Sequence, residues 1–159
     1  MDIIQKKYDE WLEKATECAD ELRSMDAEQK KEAFYKDLEF GTAGLRGVIG
    51  AGTDRLNVYT IGKVTQGLAD YVLAHKKKGA TVAISYDSRN FSQEFARHAA
   101  AVLAANGIKA YITRKLFPTP YLSFMVRKFE CDAGIMITAS HNPAKFNGYK
   151  VYGPDGCQV

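Results

Sequence analysis

Three short segments of this chain carry side chains suited to chemistry. The densest is Thr138-Ala139-Ser140-His141-Asn142-Pro143, which follows the apolar run Ala133-Gly134-Ile135-Met136-Ile137. Pro143 disfavours helical geometry at Asn142, so a strand over 132–138 turns sharply there and leaves Ser140 exposed at a sheet edge. A serine so placed can accept and return a phosphoryl group when donors hold the anion and a neighbour moves the proton. His141 can exchange a hydrogen bond with a phosphate oxygen, and Lys145 and Lys150 add positive charge nearby. The plainer alternative is a polar turn with an incidental Ser-His pair. A serine-hydrolase elbow does not fit: Ala139-Ser140-His141 lacks G-x-S-x-G, and a triad base comes from a separate loop.

The second segment, residues 41–52, runs Gly-Thr-Ala-Gly-Leu-Arg-Gly-Val-Ile-Gly-Ala-Gly. Its five glycines prevent a stable helix. They allow close backbone approach to an anion, with Arg46 able to fork onto phosphate; a flexible crossover loop is the alternative. Neither a dinucleotide fingerprint nor a P-loop lysine is present in it. The third segment is Tyr86-Asp87-Ser88-Arg89.

The elements that position these segments read as a helical lead-in followed by an α/β unit. Ile4, Tyr8, Trp11, Leu12, Ala15, Cys18, Ala19 and Leu22 recur at steps of three and four, which predicts one amphipathic helix over about 3–23. A second short helix starts near Asp26, a good N-cap. Ile61, Val64, Leu68, Tyr71 and Val72 predict a helix over 60–77 capped by Thr60, with Lys76-Lys77-Lys78 complementing its dipole at the end. Beyond it come a strand over 81–86, a helix over 92–105 stopped by Asn106-Gly107, a strand over 108–113, a helix over 120–129, a strand over 132–138 and a short strand over 148–152. This alternation predicts a three-layer α/β/α domain with a mainly parallel, mixed sheet. Ligands of such sheets bind beyond the carboxyl ends of the parallel strands, where the Asp87 and Ser140 loops lie.

The 159 residues suit one compact domain. No run of about 18 apolar residues spans a membrane, and the first residues do not read as a secretory signal. Three scattered cysteines and three histidines without metal spacing favour a reducing cytoplasm and no zinc site. Residues 1–40 carry 12 acids and 7 bases, whereas the rest carries 7 acids and 15 bases. A basic body suits an anionic ligand. Composition does not separate nucleic acid from phosphorylated metabolites, but no helix–turn–helix, RRM signature or zinc finger appears.

Taken together, Thr138-Ala139-Ser140-His141-Asn142-Pro143 resembles the phosphoserine loop of the α-D-phosphohexomutases, the phosphoglucomutase/phosphomannomutase superfamily. Gly41-Thr42-Ala43-Gly44-Leu45-Arg46-Gly47 looks like that family's G-T-x-G-x-R-G segment, Tyr86-Asp87-Ser88-Arg89 like its D-x-R turn, and Asn147-Gly148-Tyr149-Lys150 like its N-G-x-K element. The lead-in and Glu39-Phe40 look like the branch of bacterial phosphoglucomutases and phosphopentomutase-like enzymes.

The resemblance implies a phosphosugar mutase that moves a phosphoryl group between the 1- and 6-positions of a hexose, through a phosphoserine at Ser140 and a sugar bisphosphate that is both intermediate and activator. Lys150 would transfer the proton, His141 would support the phosphoserine and Arg46 would clamp phosphate oxygens. Thr42, Gly44, Arg89 and Asn142 would line the phosphate or substrate, Arg89 also shaping the loop. Mg²⁺ would be bridged by the phosphate on Ser140 and held by a D-x-D-x-D loop in a second domain. No such spacing exists here, so the carboxylate ligands lie outside this chain. The expectation is a first domain: residues 1–37 a helical lead-in, 38–159 the phosphoserine-bearing unit, the remaining mutase domains acting in cis, and the fragment alone inactive. A stand-alone phosphosugar-binding module, an interaction domain docking through its lead-in, and phosphopentomutase or phosphomannomutase specificity are the alternatives.

Overall fold

The computed structural model describes residues 2–76 and 78–159. The lead-in forms three helices: α1 (Ile3–Lys14), α2 (Ala19–Ser24) and α3 (Ala27–Phe34). The single helix expected over 3–23 is therefore broken, at Ala15 (ψ 67°) and a 3₁₀ turn over Thr16–Cys18. The reason is tertiary. In a straight helix Tyr8 and Leu22 would stand roughly 21 Å apart, yet the Tyr8 hydroxyl donates to the Leu22 carbonyl at 2.8 Å. The break folds both residues into one small core with Ala33, Phe34 and Ala51. Helix α3 begins at Asp26 with a capping box: the Asp26 carboxylate accepts from Gln29 N, and the Gln29 side chain accepts from Asp26 N.

The glycine segment is sheet rather than loop at its start. Strands β1 (Phe40–Gly41) and β2 (Gly44–Val48) form a hairpin. Helix α4 (Val58–His75) starts two residues before the expected position. Asn57 is its cap, accepting from Tyr59 N and Thr60 N, and Thr60 closes the box from within the helix at 3.0 Å. The helix ends at His75; Lys76 is extended and pairs with Asp132 at 3.1 Å, while Lys77 lies outside the described residues. Strand β3 (Thr81–Tyr86), helix α5 (Ser92–Ala105), strand β4 (Lys109–Ile112), helix α6 (Thr119–Lys128), strand β5 (Ala133–Ile137) and strand β6 (Phe146–Tyr152) follow, each within two residues of expectation.

The six strands make one mixed sheet in the order β1-β2-β6-β5-β3-β4. Parallel pairing holds for β5, β3 and β4; β1, β2 and β6 are antiparallel to their neighbours. Residues of α4 and α5 pack on one face, where Ile61, Leu68, Phe95 and Leu103 meet Val82, Ile84, Ile135 and Tyr149. Helix α6 covers part of the other, placing Leu122, Met125 and Val126 against Ala83, Met136 and Tyr152. The architecture is α/β/α with the lead-in packed beside it. No helix among the described residues is long and apolar enough to cross a membrane.

Candidate functional site

Because β6 runs back between β5 and β2, the sheet register lines up the residues that matter. Met136 faces Lys150, so Thr138 falls opposite Gly148, and Gly148 faces Arg46. On the other side Tyr86 faces Ile137, which sets Asp87 beside Thr138. Side chains alternate along strands, so Asp87, Thr138, Gly148 and Arg46 form one cross-strand row. Lys150 lies on the same face one pleat further from the Ser140 loop. Arg46 and Lys150 are diagonal neighbours, both half-buried and, among the described residues, without an ion-pair partner. Gly148 lets the strands close in: a Cβ there would sit 2.5 Å from the Thr138 carbonyl and 2.8 Å from that of Leu45. At Gly44 (φ +88°) a Cβ would meet the Tyr149 carbonyl at 2.5 Å and the Lys150 side chain at 3.3 Å, so the missing side chain leaves room for the lysine stem.

Ser140 is exposed and holds a left-handed backbone conformation (φ 56°), a state that costs a non-glycine residue about 1–2 kcal/mol. Its hydroxyl lies 3.3 Å from His141 Nδ1. Arg89 reaches over from the β3–α5 loop. Its Nη1 donates to the carbonyls of Pro143 (3.1 Å) and Phe146 (3.2 Å), and its Nη2 to those of Ser140 (2.5 Å) and Asn142 (2.6 Å). Nε faces Asp87 Oδ2 at 3.6 Å. The guanidinium thus shapes the serine loop through its carbonyls. Asn147, fully buried, donates to Asn90 O and Ser92 Oγ and accepts from Gly148 N, tying the β3–α5 loop to β6. Beneath them Tyr149 anchors β6 with its hydroxyl 3.1 Å from that of Thr65; burial pushes this phenol far up and keeps it neutral.

The structure brings Ser140, His141, Asn142 and Arg89 into one loop cluster and sets Arg46, Gly44 and Lys150 on the adjoining sheet. It does not bring Thr42 there. Thr42 sits in the β1–β2 turn, beyond the Gly44 end of β2 and away from the Ser140 end. Asp87, Thr138 and Asn147 stand inside motifs legible in the sequence, yet their contacts were not legible. The one available signal was Asp87 two residues before Arg89, an Asx-turn pattern; Asp87 Oδ1 indeed accepts from Arg89 N at 3.0 Å.

Among the described residues no three His, Cys, Asp or Glu side chains converge. Both oxygens of Asp87, beside the serine loop, already accept from Thr138, Ser92 and Arg89. These residues alone do not compose a Mg²⁺ site. An apolar cavity of about 690 Å³ lies at the other end of β5, lined by Ala133 with Phe40, Leu45, Leu68 and Tyr71, apart from the serine loop.

Comparison with known proteins gives a consistent result. The sequence model of the family described as phosphoglucomutase/phosphomannomutase, alpha/beta/alpha domain I, matches residues 37–159. A phosphoglucomutase of Staphylococcus epidermidis is 48% identical over 136 residues, covering 84% of this chain and 24% of the relative. One from Staphylococcus aureus is 47% identical over 152 residues, covering 94% and 27%. The chain therefore spans about a quarter of the length of these relatives. A crystal structure from Thermus thermophilus, described as a phosphomannomutase, superposes with a TM-score of 0.71 at 32% identity, over 78% of this chain and 27% of that one. With the matching α/β/α fold and the serine loop at the end of β5, these likenesses establish that the chain belongs to the phosphoglucomutase/phosphomannomutase family and carries its first α/β/α domain.

Proposed function

We propose that this chain is the catalytic-serine domain of a hexose-phosphate mutase, with residues 1–37 as lead-in and 38–159 as the phosphoserine unit. Ser140 carries the phosphoryl group. Phosphoserine passes its PO₃ to the 6-hydroxyl of glucose 1-phosphate: the new P–O6 bond forms, the P–Oγ bond breaks, and Lys150 gives a proton to the freed Oγ and regains one from the 6-hydroxyl. The bisphosphate turns round. Ser140 Oγ then takes the phosphoryl group from the 1-position: the new P–Oγ bond forms, the P–O1 bond breaks, the serine proton passes through Lys150 to the freed O1, and glucose 6-phosphate leaves. Arg46 and Lys150 offer unpaired positive charge on the face where the anion lies, and His141 hydrogen-bonds the serine oxygen. The observation that carries this reading is an exposed serine, left-handed in its backbone, whose loop is gripped by Arg89 through four carbonyls.

Substrate choice and Mg²⁺ binding belong to further domains acting in cis, as the relatives' greater length suggests. The 159-residue chain alone is expected to be inactive and cytoplasmic. The test uses the full-length protein with glucose 1-phosphate and mannose 1-phosphate. Wild type isomerises the glucose substrate faster and, on incubation with glucose 1,6-bisphosphate, gains the mass of HPO₃ (~80 Da) at Ser140, the general signature of a phosphoserine. Ser140→Ala loses both properties. Isomerisation at the wild-type rate by Ser140→Ala would overturn the proposal.

A further inference from the structure

We propose that Asp87 and Thr138 form a positioning couple that fixes the backbone of Ser140 for phosphoryl transfer. The inference rests on the reading of Ser140 as phosphoryl carrier. It starts from proton bookkeeping at one hydroxyl. Ser140 N donates to Thr138 Oγ1 at 2.9 Å, so that oxygen accepts. A hydroxyl has a single proton, and the Thr138 proton goes to Asp87 Oδ2 at 2.6 Å. The other carboxylate oxygen accepts from Ser92 Oγ at 2.8 Å and Arg89 N at 3.0 Å.

Every hydrogen-bond neighbour of the Asp87 carboxylate is thus a donor, and the direction of the chain Ser140 N–H to Thr138 O–H to Asp87 is set. Arg89, facing the same carboxylate, holds the Ser140 carbonyl. The serine is gripped on both sides of its Cα, through N–H by the couple and through C=O by the arginine. A left-handed serine persists only where its surroundings over-determine it; these contacts do so. The partners lie 51 residues apart in sequence, so the couple also locks the β3–α5 loop to the serine loop. Neither residue touches the reacting oxygen; they set where it points.

Three single variants of the full-length protein and one double variant test this, with kcat and KM for glucose 1-phosphate measured alongside thermal unfolding. Thr138→Val keeps the shape and removes both hydrogen bonds; kcat falls roughly 10- to 100-fold, as expected for a misplaced reacting atom, while KM changes by less than about threefold because the sugar-phosphate contacts are untouched. Thr138→Ser keeps the hydroxyl and restores most of the rate. Asp87→Asn keeps its oxygen for Ser92 and Arg89 only by turning its N–H₂ toward Thr138 Oγ1, which reverses the bond of the couple and removes its charge; kcat falls in the same direction as in Thr138→Val, and this variant carries the comparison if Thr138→Val does not fold. The double variant is no slower than the worse single one, since both break the same chain. A wild-type kcat in Thr138→Val or Asp87→Asn, or a Thr138→Ser as slow as Thr138→Val, overturns the couple. Ser140→Ala run in parallel separates the two ideas: if it remains active the carrier assignment fails, and if it is dead while Thr138→Val is fast only the couple fails.

Discussion

Gly148 sits at the crossing of fold and site, in the strand between β2 and β5. Adding one methyl there, as Gly148→Ala, puts a Cβ 2.5 Å from the Thr138 carbonyl and 2.8 Å from the Leu45 carbonyl, both inside the 3.0 Å that real Cβ contacts essentially never breach. Both neighbours are backbone, so no side chain can swing away. Relief requires strands to part, weakening the 3.0 Å bond from Thr138 N to the Gly148 carbonyl. Overpacking of this kind costs about 3 kcal/mol, the upper end of its usual range. For a domain of this size that is a fall in Tm of roughly 6–12 °C. Gly67→Ala is the control: it lies inside α4, where an added methyl would meet nothing within 4 Å, and replacing a helical glycine gains about 1 kcal/mol. Urea unfolding followed by far-UV circular dichroism reads both, at unchanged m. Equal midpoints for Gly148→Ala and wild type, or destabilisation by Gly67→Ala, would refute the reasoning.

Further outcomes follow from other sites. Asn147→Leu leaves the buried Gly148 N–H without its side-chain partner and takes a donor from the buried Ser92 Oγ; stability drops by about 2–3 kcal/mol in the same urea assay, and a loss under about 1 kcal/mol would contradict it. The Tyr59 phenol is pushed up from 10.0 to about 12 chiefly by its hydrogen bond to Glu17. A folded value above the unfolded one means this contribution is complete below pH 10 and is lost as pH rises toward 12. Fluorescence of the single tryptophan, Trp11, which packs on Tyr59, should show wild type losing more stability than Tyr59→Phe over that interval; parallel curves would count against it. Burial pushes the thiols of Cys18 and Cys131 up, while Cys157 is exposed. Ellman's reagent at about pH 8 therefore modifies Cys157 first and Cys131 last, and rapid labelling of Cys131 in the folded protein would be the contrary result.

What could be read from the residues was whatever short-range rules decide. The apolar spacing of Ile61, Leu68 and Val72, the stop at Asn106-Gly107 and the run Ala133 to Ile137 marked helices and strands to within about two residues, because propensity and periodicity act over a few neighbours. The Ser140 loop was legible for the same reason: strand, small residues and proline are contiguous. Tertiary structure alone decided three other features. Helix α1 ends at Lys14 because Tyr8 must meet Leu22. The glycine-rich start became β1 and β2 because β6, a hundred residues on, offered an antiparallel partner. Arg89, legible as a candidate phosphate ligand, directs its donors to carbonyls 51 to 57 residues away. Charge and spacing name a residue's possible partners, but only the closed sheet chooses among them, since each such hydrogen bond needs two distant segments held within about 3.5 Å.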